Sequence, residues 1–150
     1  MRIAFLGGGN MAGALIGGLI AKGTDAGSIS VIEVSAAARE RLGARYPVHI
    51  AAAPDAATQR SEVLVLAVKP QDAKAALASI SVNQQLVISI AAGLTLAAIA
   101  RWLGGHRKLV RCMPNTPALV GAGVLSVLIF PAAALALRRH EPSAAEAEPN

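Results

Sequence analysis

Three consecutive glycines near the start of the chain could bind a phosphate. The stretch FLGGGNMAG contains Gly7, Gly9 and Ala12 in the pattern G-x-G-x-x-A. The first glycine permits a tight turn, the second has no Cβ to block a pyrophosphate, and the small third residue lets a helix lie on the preceding strand. Main-chain amides at the start of that helix, with the positive end of its dipole, bind phosphate oxygens. The alternative for this glycine turn (Gly7–Gly9) is a purely structural role.

Glu33 is a second candidate, 26 residues after Gly7. An acidic residue at the end of the second strand of such a domain accepts hydrogen bonds from the ribose hydroxyls of NAD. The same charge would repel the 2′-phosphate of NADP by about 4 kcal/mol at ~4 Å where the dielectric constant is ~20. Arg39 and Arg41 follow, and they could accommodate that phosphate if Glu33 turns away. A solvated Glu33 is a further alternative, so coenzyme preference stays open.

Three more segments combine small residues or proline with a polar side chain. They are AVKPQ, SIAAG and MPNTP, which begin at Ala67, Ser89 and Met113. Each lies at the carboxyl end of an apolar run, and ligands of open α/β sheets bind at the carboxyl ends of the strands. Lys69 could contact a phosphate or ribose oxygen, or it could be an ordinary surface cation. Asn115 could bind a carboxamide, or it could stabilise its own loop as an Asx turn.

The spacing of apolar residues predicts the elements that position these segments. Short apolar runs alternate with segments of helical periodicity, which indicates a Rossmann-like doubly wound parallel sheet of the α/β class. The first predicted helix runs from Asn10 to about Lys22, and the second follows the second strand and ends at about Ala44. The third covers Gln71–Ser79, and the fourth runs from an N-cap at Thr95 to about Leu103. The predicted strands are Ile3–Leu6, Ser30–Val34, Val48–Ala51, Val63–Val68, Leu86–Ile90 and Lys108–Cys112.

Composition narrows the function classes. The chain has 150 residues, 54% of them hydrophobic and 3% aromatic, with a formal net charge of +5. Its basic residues are dispersed and stacking aromatics are scarce, so we predict no nucleic-acid partner. A single cysteine and three scattered histidines predict no disulfide and no metal site. The chain offers no catalytic triad, carboxylate pair or activated cysteine, so no catalytic residue is identified. Without a signal peptide, the cytoplasm is the default location.

The segments FLGGGNMA, LAVKPQ, SIAAGLT and RCMPNTPALVGAG, in this order, resemble pyrroline-5-carboxylate reductases from Met1 to about Val124. The resemblance implies reduction of a cyclic imine carboxylate to L-proline, with hydride from NADPH or, as a second option, NADH. Val34 departs from the small polar residue usual there, which leaves the contact to a 2′-phosphate in doubt. The resemblance and the glycine pattern together predict a coenzyme site formed by Leu6, Gly7, Gly8, Gly9, Asn10, Met11, Glu33, Ala67, Val68, Lys69, Pro70, Ile90, Ala91, Ala92, Met113 and Asn115.

The family-like pattern stops after Gly123. We therefore expect a dinucleotide-binding domain over 1–124, and an atypical apolar segment with a disordered tail over 125–150. The resemblance implies a C-terminal helical domain that binds substrate and forms a homo-oligomer, and we expect it to be missing, with impaired activity. Residues 118–137 are uncharged, but two glycines and a proline argue against a membrane span.

Two other functions stay open at this point. The chain could be a non-catalytic dinucleotide-binding remnant, because hydride transfer also needs a surface that binds the substrate. It could also be another NADP-dependent reductase on the same fold, such as a deazaflavin-linked enzyme with a similar glycine turn. The segment RCMPNTP favours the pyrroline-5-carboxylate reductase interpretation over the last one.

Overall fold

The computed structural model describes residues 1–113. Within them, six parallel strands form one sheet, as the alternation of apolar runs and helical segments predicts. The strands are β1 (Ile3–Leu6), β2 (Ile29–Ile32), β3 (His49–Ala51), β4 (Val63–Leu66), β5 (Leu86–Ser89) and β6 (Leu109–Arg111). Their spatial order is β3-β2-β1-β4-β5-β6. The chain therefore winds outward from β1 to β3, then crosses to the other side of β1 and winds outward to β6.

Helices connect the strands and cover both faces of the sheet. They are α1 (Asn10–Ala21), α2 (Ala36–Arg45), α3 (Ala56–Gln59), α4 (Ala73–Ala78) and α5 (Leu96–Trp102), with 3-10 turns at Ala26–Ser28 and Pro70–Asp72. The predicted cap of α5 is present, because the hydroxyl of Thr95 accepts a hydrogen bond from the third amide of that helix. Ser35 caps α2 in the same way. Gly23 follows α1 with a φ of +91°, the conformation that commonly ends a helix.

The core lies on both faces of the sheet because successive strand residues point to opposite sides. On one face, Ala4 and Leu6 of β1 pack with the buried residues of α4 and α5. On the other face, Ile3 and Phe5 pack with those of α1 and α2. This two-sided burial explains why the strands read as uninterrupted apolar runs instead of alternating patterns.

The packing of Tyr46, the residue after α2, against α1 leaves little space for a side chain at position 17. A Cβ on Gly17 would lie 2.5 Å from Oη of Tyr46, whereas one on Gly13 would make an ordinary contact of 3.6 Å with a methyl group of Leu42. The tyrosine ring thus occupies the space that a side chain at position 17 would need. By contrast, a Cβ on the neighbouring Gly18 would have no atom within 4 Å.

The strands are shorter than the apolar runs predict, chiefly at their carboxyl ends. β2 ends at Ile32 and β4 at Leu66, so Glu33 and the pair Ala67–Val68 belong to the loops that follow. Pairing stops there because the chain turns away after one further main-chain hydrogen bond on each strand, from the amides of Glu33 and Ala67. Helix α3 was not predicted, because four residues are too few for apolar periodicity. The predicted boundary at 124, the tail and the apolar segment 118–137 lie outside the described residues.

Candidate dinucleotide-binding site

The predicted site segments leave the sheet at one edge. Ala51, Ile32, Leu6, Leu66, Ser89 and Arg111 are register partners across all six strands. They are the last residues of their strands. Parallel pairing therefore places the residues that follow β2, β1, β4, β5 and β6 along a single line. At ~4.8 Å between neighbouring strands, the line from β2 to β6 is about 19 Å long.

The glycine turn and the AVKP loop meet where the strand order reverses. β1 and β4 are spatial neighbours, but their connections run to opposite sides of the sheet. Gly7 has a φ of +103°, and a Cβ placed on it would lie 2.8 Å from the carbonyl oxygen of Ala67. The amide of Ala67 in turn donates to the carbonyl of Leu6, at 2.8 Å. This junction is the position at which open α/β sheets bind their ligands.

Gly9 differs from Gly7 in that the fold does not require a glycine there. Its φ of −70° and ψ of −175° suit any residue, and a Cβ at this position would have no atom within 4 Å. Gly9 is exposed and forms the N-cap of α1, where no side chain caps the helix and the first turn has no acidic residue. The missing side chain therefore leaves main-chain amides accessible to an anion, so these residues fit a bound diphosphate.

Glu33 is half-buried and bridges the glycine turn to the start of α2. Its Oε2 accepts a hydrogen bond from the amide of Gly8, and its Oε1 accepts one from the amide of Ser35, both at 2.8 Å. Arg39 donates from Nη1 to the carbonyl oxygens of Glu33 and Val34, also at 2.8 Å. The sequence indicated Glu33 as a site residue, but the contact to Gly8 could not be predicted from it.

The remaining predicted residues lie on the loops after β4, β5 and β6. Lys69 and Pro70 are exposed, and Val68 is half-buried. After β5, Ile90 is half-buried, Ala91 is buried and Ala92 is exposed. These loops offer small and apolar surface beside the glycine turn.

The segment after β6 is only partly described. Met113 is exposed, and its Sδ accepts a hydrogen bond from Nη2 of Arg111 at 3.5 Å. Asn115 lies outside the described residues. Burial raises the pKa of the neighbouring Cys112 thiol, which disfavours the nucleophilic thiolate.

Residues 1–113 include no cluster of His, Cys, Asp or Glu suited to a metal ion. Two histidines have structural partners instead: His49 lies 2.6 Å from a carboxylate oxygen of Asp55, and His106 lies 2.9 Å from the carbonyl of Gln85.

None of the helices in this part of the chain is long and apolar enough to span a membrane. The described part of the sheet edge thus offers main-chain amides that suit an anion, small side chains, and the Glu33 carboxylate as a hydrogen-bond acceptor.

The chain is similar in sequence to pyrroline-5-carboxylate reductases. The chain is 45% identical to the pyrroline-5-carboxylate reductase of Pseudomonas aeruginosa over 125 residues, which cover 81% of the chain and 46% of that protein. It is 43% identical to the pyrroline-5-carboxylate reductase of Escherichia coli over 130 residues, which cover 84% of the chain and 48% of that protein. The predicted resemblance is confirmed, and the chain spans about half the length of these curated relatives.

Solved structures agree with the fold. The pyrroline-5-carboxylate reductase of Coxiella burnetii matches with a TM-score of 0.74 and 38% identity, over 79% of this chain and 46% of that one. The Plasmodium falciparum pyrroline carboxylate reductase with NADP bound matches with a TM-score of 0.68 and 27% identity, over 81% of this chain and 45% of that one.

Residues 2–93, which include the glycine turn, Glu33 and the loops after β4 and β5, match the protein-family model described as NADP oxidoreductase coenzyme F420-dependent. Because this match covers more than half of the chain, the chain belongs to the family of coenzyme F420-dependent NADP oxidoreductases.

Proposed function

We propose that this chain binds a pyridine dinucleotide and serves as the coenzyme-binding part of an oxidoreductase that reduces 1-pyrroline-5-carboxylate to L-proline. Coenzyme binding is supported by Gly9, which leaves open space at the N-cap of α1, where no side chain caps the helix. A ligand can occupy this space, and the uncapped amides at the start of α1 favour a negatively charged one.

The proposed contacts follow the order of the strands along the edge. Glu33 would bind the adenosine ribose, and Leu6 to Met11 would bind the diphosphate. Ala67 to Pro70 and Ile90 to Ala92 would contact the middle of the coenzyme and its nicotinamide half. Met113 and Asn115 would border the nicotinamide ring, which supplies the hydride when the coenzyme is bound. We assign the coenzyme domain to residues 1–124.

The substrate half of the proposal derives from the relatives. The similarity to pyrroline-5-carboxylate reductases extends over 125 residues, beyond the match of 2–93 to the broader family. This supports a cyclic imine carboxylate as substrate. The NADP-bound structure of the Plasmodium falciparum relative and the description of the matching family support NADPH as coenzyme, and the cytoplasm is the location that we propose.

Calorimetric titration of the full chain with NADP⁺ and NAD⁺ tests the coenzyme half. We expect the native chain to bind at least one of them. Gly9→Ala should weaken that binding by tenfold or more, because its Cβ occupies the space of the phosphates, while the circular dichroism spectrum stays unchanged. Gly18→Ala is the matched control, since it too adds a methyl group with no atom nearby, and it should bind like the native chain. Native affinity in Gly9→Ala would refute the assignment of the phosphate site.

A second candidate function is oxidation or reduction of a deazaflavin by NADP(H), which the description of the matching family favours. Steady-state assays distinguish the two. Formation of L-proline from pyrroline-5-carboxylate and NADPH would support the first function, and oxidation of NADPH by a deazaflavin alone would support the second. Coenzyme binding without turnover of either substrate would support the alternative that this chain is a non-catalytic dinucleotide-binding module.

A further inference from the structure

Ser89 has a buried hydroxyl group without a partner. The residue is 1% exposed, and its Oγ makes no hydrogen bond within residues 1–113. Its main chain is fixed, because Ser89 pairs with both neighbouring strands and its carbonyl accepts a hydrogen bond from the amide of Cys112 at 2.8 Å. Buried hydroxyls without a partner are rare in folded proteins and lower stability, so this group suits a ligand that would pair with it.

The position of Ser89 brings it next to the proposed coenzyme contacts. Ser89 is the last residue of β5 and the register partner of Leu66, the last residue of β4. Two strand spacings of ~4.8 Å separate β5 from β1, so Ser89 lies ~10 Å along the edge from the glycine turn. The segments Ala67–Pro70 and Ile90–Ala92, which we assign to the middle of the coenzyme and its nicotinamide half, begin directly after these two strand ends.

The side chains around the hydroxyl are apolar. Ser89 points to the same face of the sheet as Val87, because side chains alternate along a strand, and Val87 belongs to the buried cluster beneath α4 and α5. Val68 and Leu94, from the loops after β4 and β5, pack against the same cluster. Neither side chain carries a hydrogen-bonding group. A polar group of a ligand bound between these two loops can supply one.

We propose that the Ser89 hydroxyl binds the nicotinamide riboside of the coenzyme. This inference rests on the proposed function and adds to the site a residue that the sequence did not indicate. A serine hydroxyl both donates and accepts hydrogen bonds, and the riboside offers partners of both kinds in its ribose hydroxyls and its carboxamide. Because Ser89 is 1% exposed, the segment Ile90–Ala92 has to shift when the coenzyme binds.

Ser61 provides a matched comparison. It is also buried, at 7% exposure, and its Oγ likewise has no partner in the described part of the chain. Ser61 precedes β4, which begins at Val63, so it lies at the opposite edge of the parallel sheet. Both hydroxyls should lower the stability of the free chain, but only that of Ser89 should gain a partner from the coenzyme.

Ser89→Ala and Ser61→Ala, made in the full chain, test this difference. Both variants should unfold at a higher urea concentration than the native chain, because each removes an unpaired buried hydroxyl. In calorimetric titrations with NAD⁺ and NADP⁺, Ser89→Ala should bind about three- to tenfold more weakly, as expected for the loss of one neutral hydrogen bond. Ser61→Ala should bind with native affinity. ADP and its 2′-phosphorylated form lack the riboside, so Ser89→Ala should bind them like the native chain.

Three results would overturn the proposal: native coenzyme affinity in Ser89→Ala, an equal loss of its affinity for the two riboside-free nucleotides, or an equal loss of coenzyme affinity in Ser61→Ala. A lower urea midpoint in Ser89→Ala would also contradict it, because the hydroxyl would then have a partner in the free chain. Ser89→Cys keeps the size of the side chain but is only a weak hydrogen-bonding group, and it replaces Ser89→Ala if that variant does not fold. Absence of binding of both coenzymes to the native chain would instead refute the proposed function itself.

Discussion

Replacing single glycines by alanine should separate backbone strain from steric conflict in this fold. Gly9, Gly23 and Gly7 form a graded series. Gly9 has a negative φ and no atom within 4 Å of an added Cβ, and Gly23 has a φ of +91° with equally open space. Gly7 combines a φ of +103° with an added Cβ 2.8 Å from the Ala67 carbonyl oxygen.

The expected costs follow from these differences. Gly9→Ala should change the free energy of unfolding by less than about 1 kcal/mol, because alanine is a poorer N-cap than glycine but reduces the entropy of the unfolded chain. Gly23→Ala should cost about 1–2 kcal/mol for the positive φ. Gly7→Ala adds the conflict with a main-chain carbonyl, for which overpacking data give about 1–3 kcal/mol more. Its total of roughly 2–5 kcal/mol is a large part of the stability of a typical domain.

Urea unfolding of the three variants, followed by circular dichroism, measures these differences. The order of destabilisation should be Gly7→Ala, then Gly23→Ala, then Gly9→Ala. Coenzyme affinity should not follow this order of stability. Gly9→Ala should bind the coenzyme more weakly although its stability is nearly native, and Gly23→Ala should bind it with native affinity although it is less stable. Equal stability of Gly7→Ala and Gly23→Ala would refute the close contact between the glycine turn and the AVKP loop.

The remaining predictions concern stability. Gly17→Ala should destabilise the chain by about 1–3 kcal/mol through its conflict with Tyr46. Gly18→Ala should instead stabilise α1 by up to about 1 kcal/mol in the same urea assay. The destabilisation by Gly17→Ala should disappear when Tyr46 is also replaced by leucine. The amide of Thr58 and the ring of His49 lower the pKa of Asp55 from 3.8 to about 2. Since the folded pKa is the lower one, this stabilisation is present above pH 3.8 and is lost as the pH falls toward 2. Asp55→Asn should therefore flatten the unfolding free energy between these pH values, and an unchanged pH profile would contradict the assigned contacts.

Most of the fold could be predicted from the sequence because its elements have strong local signals. Strands buried on both faces appear as continuous apolar runs; β1 has the predicted bounds, and β4 begins where its run predicts. Ser35, Thr95 and Gly23 mark helix ends through hydrogen bonds and backbone conformations that involve only nearby residues. Helix α3 was missed because its signal is the pair Asp55 and Thr58 in a capping box, and not a periodic apolar pattern.

The candidate site was predictable as a set of residue types but not as a geometry. The glycine turn and the loops after β4 and β5 follow apolar runs, and the rule for parallel sheets brings them to one edge. Sequence alone, however, left two roles open for Glu33, because a side chain at a strand end can point to solvent, to a ligand or to the main chain. Only the packing of β2 beside β1 places its carboxylate on the amide of Gly8.

What the sequence determined by itself is the alternation of strand and helix, the helix caps and the position of the glycine turn. Each of these depends on interactions within a few residues, so the local order of side chains suffices. Tertiary structure decided which glycines are sterically required. Gly7 and Gly17 are crowded by Ala67 and Tyr46, while Gly9 faces open space. That difference arises from residues distant in the chain, which only the folded arrangement brings into contact.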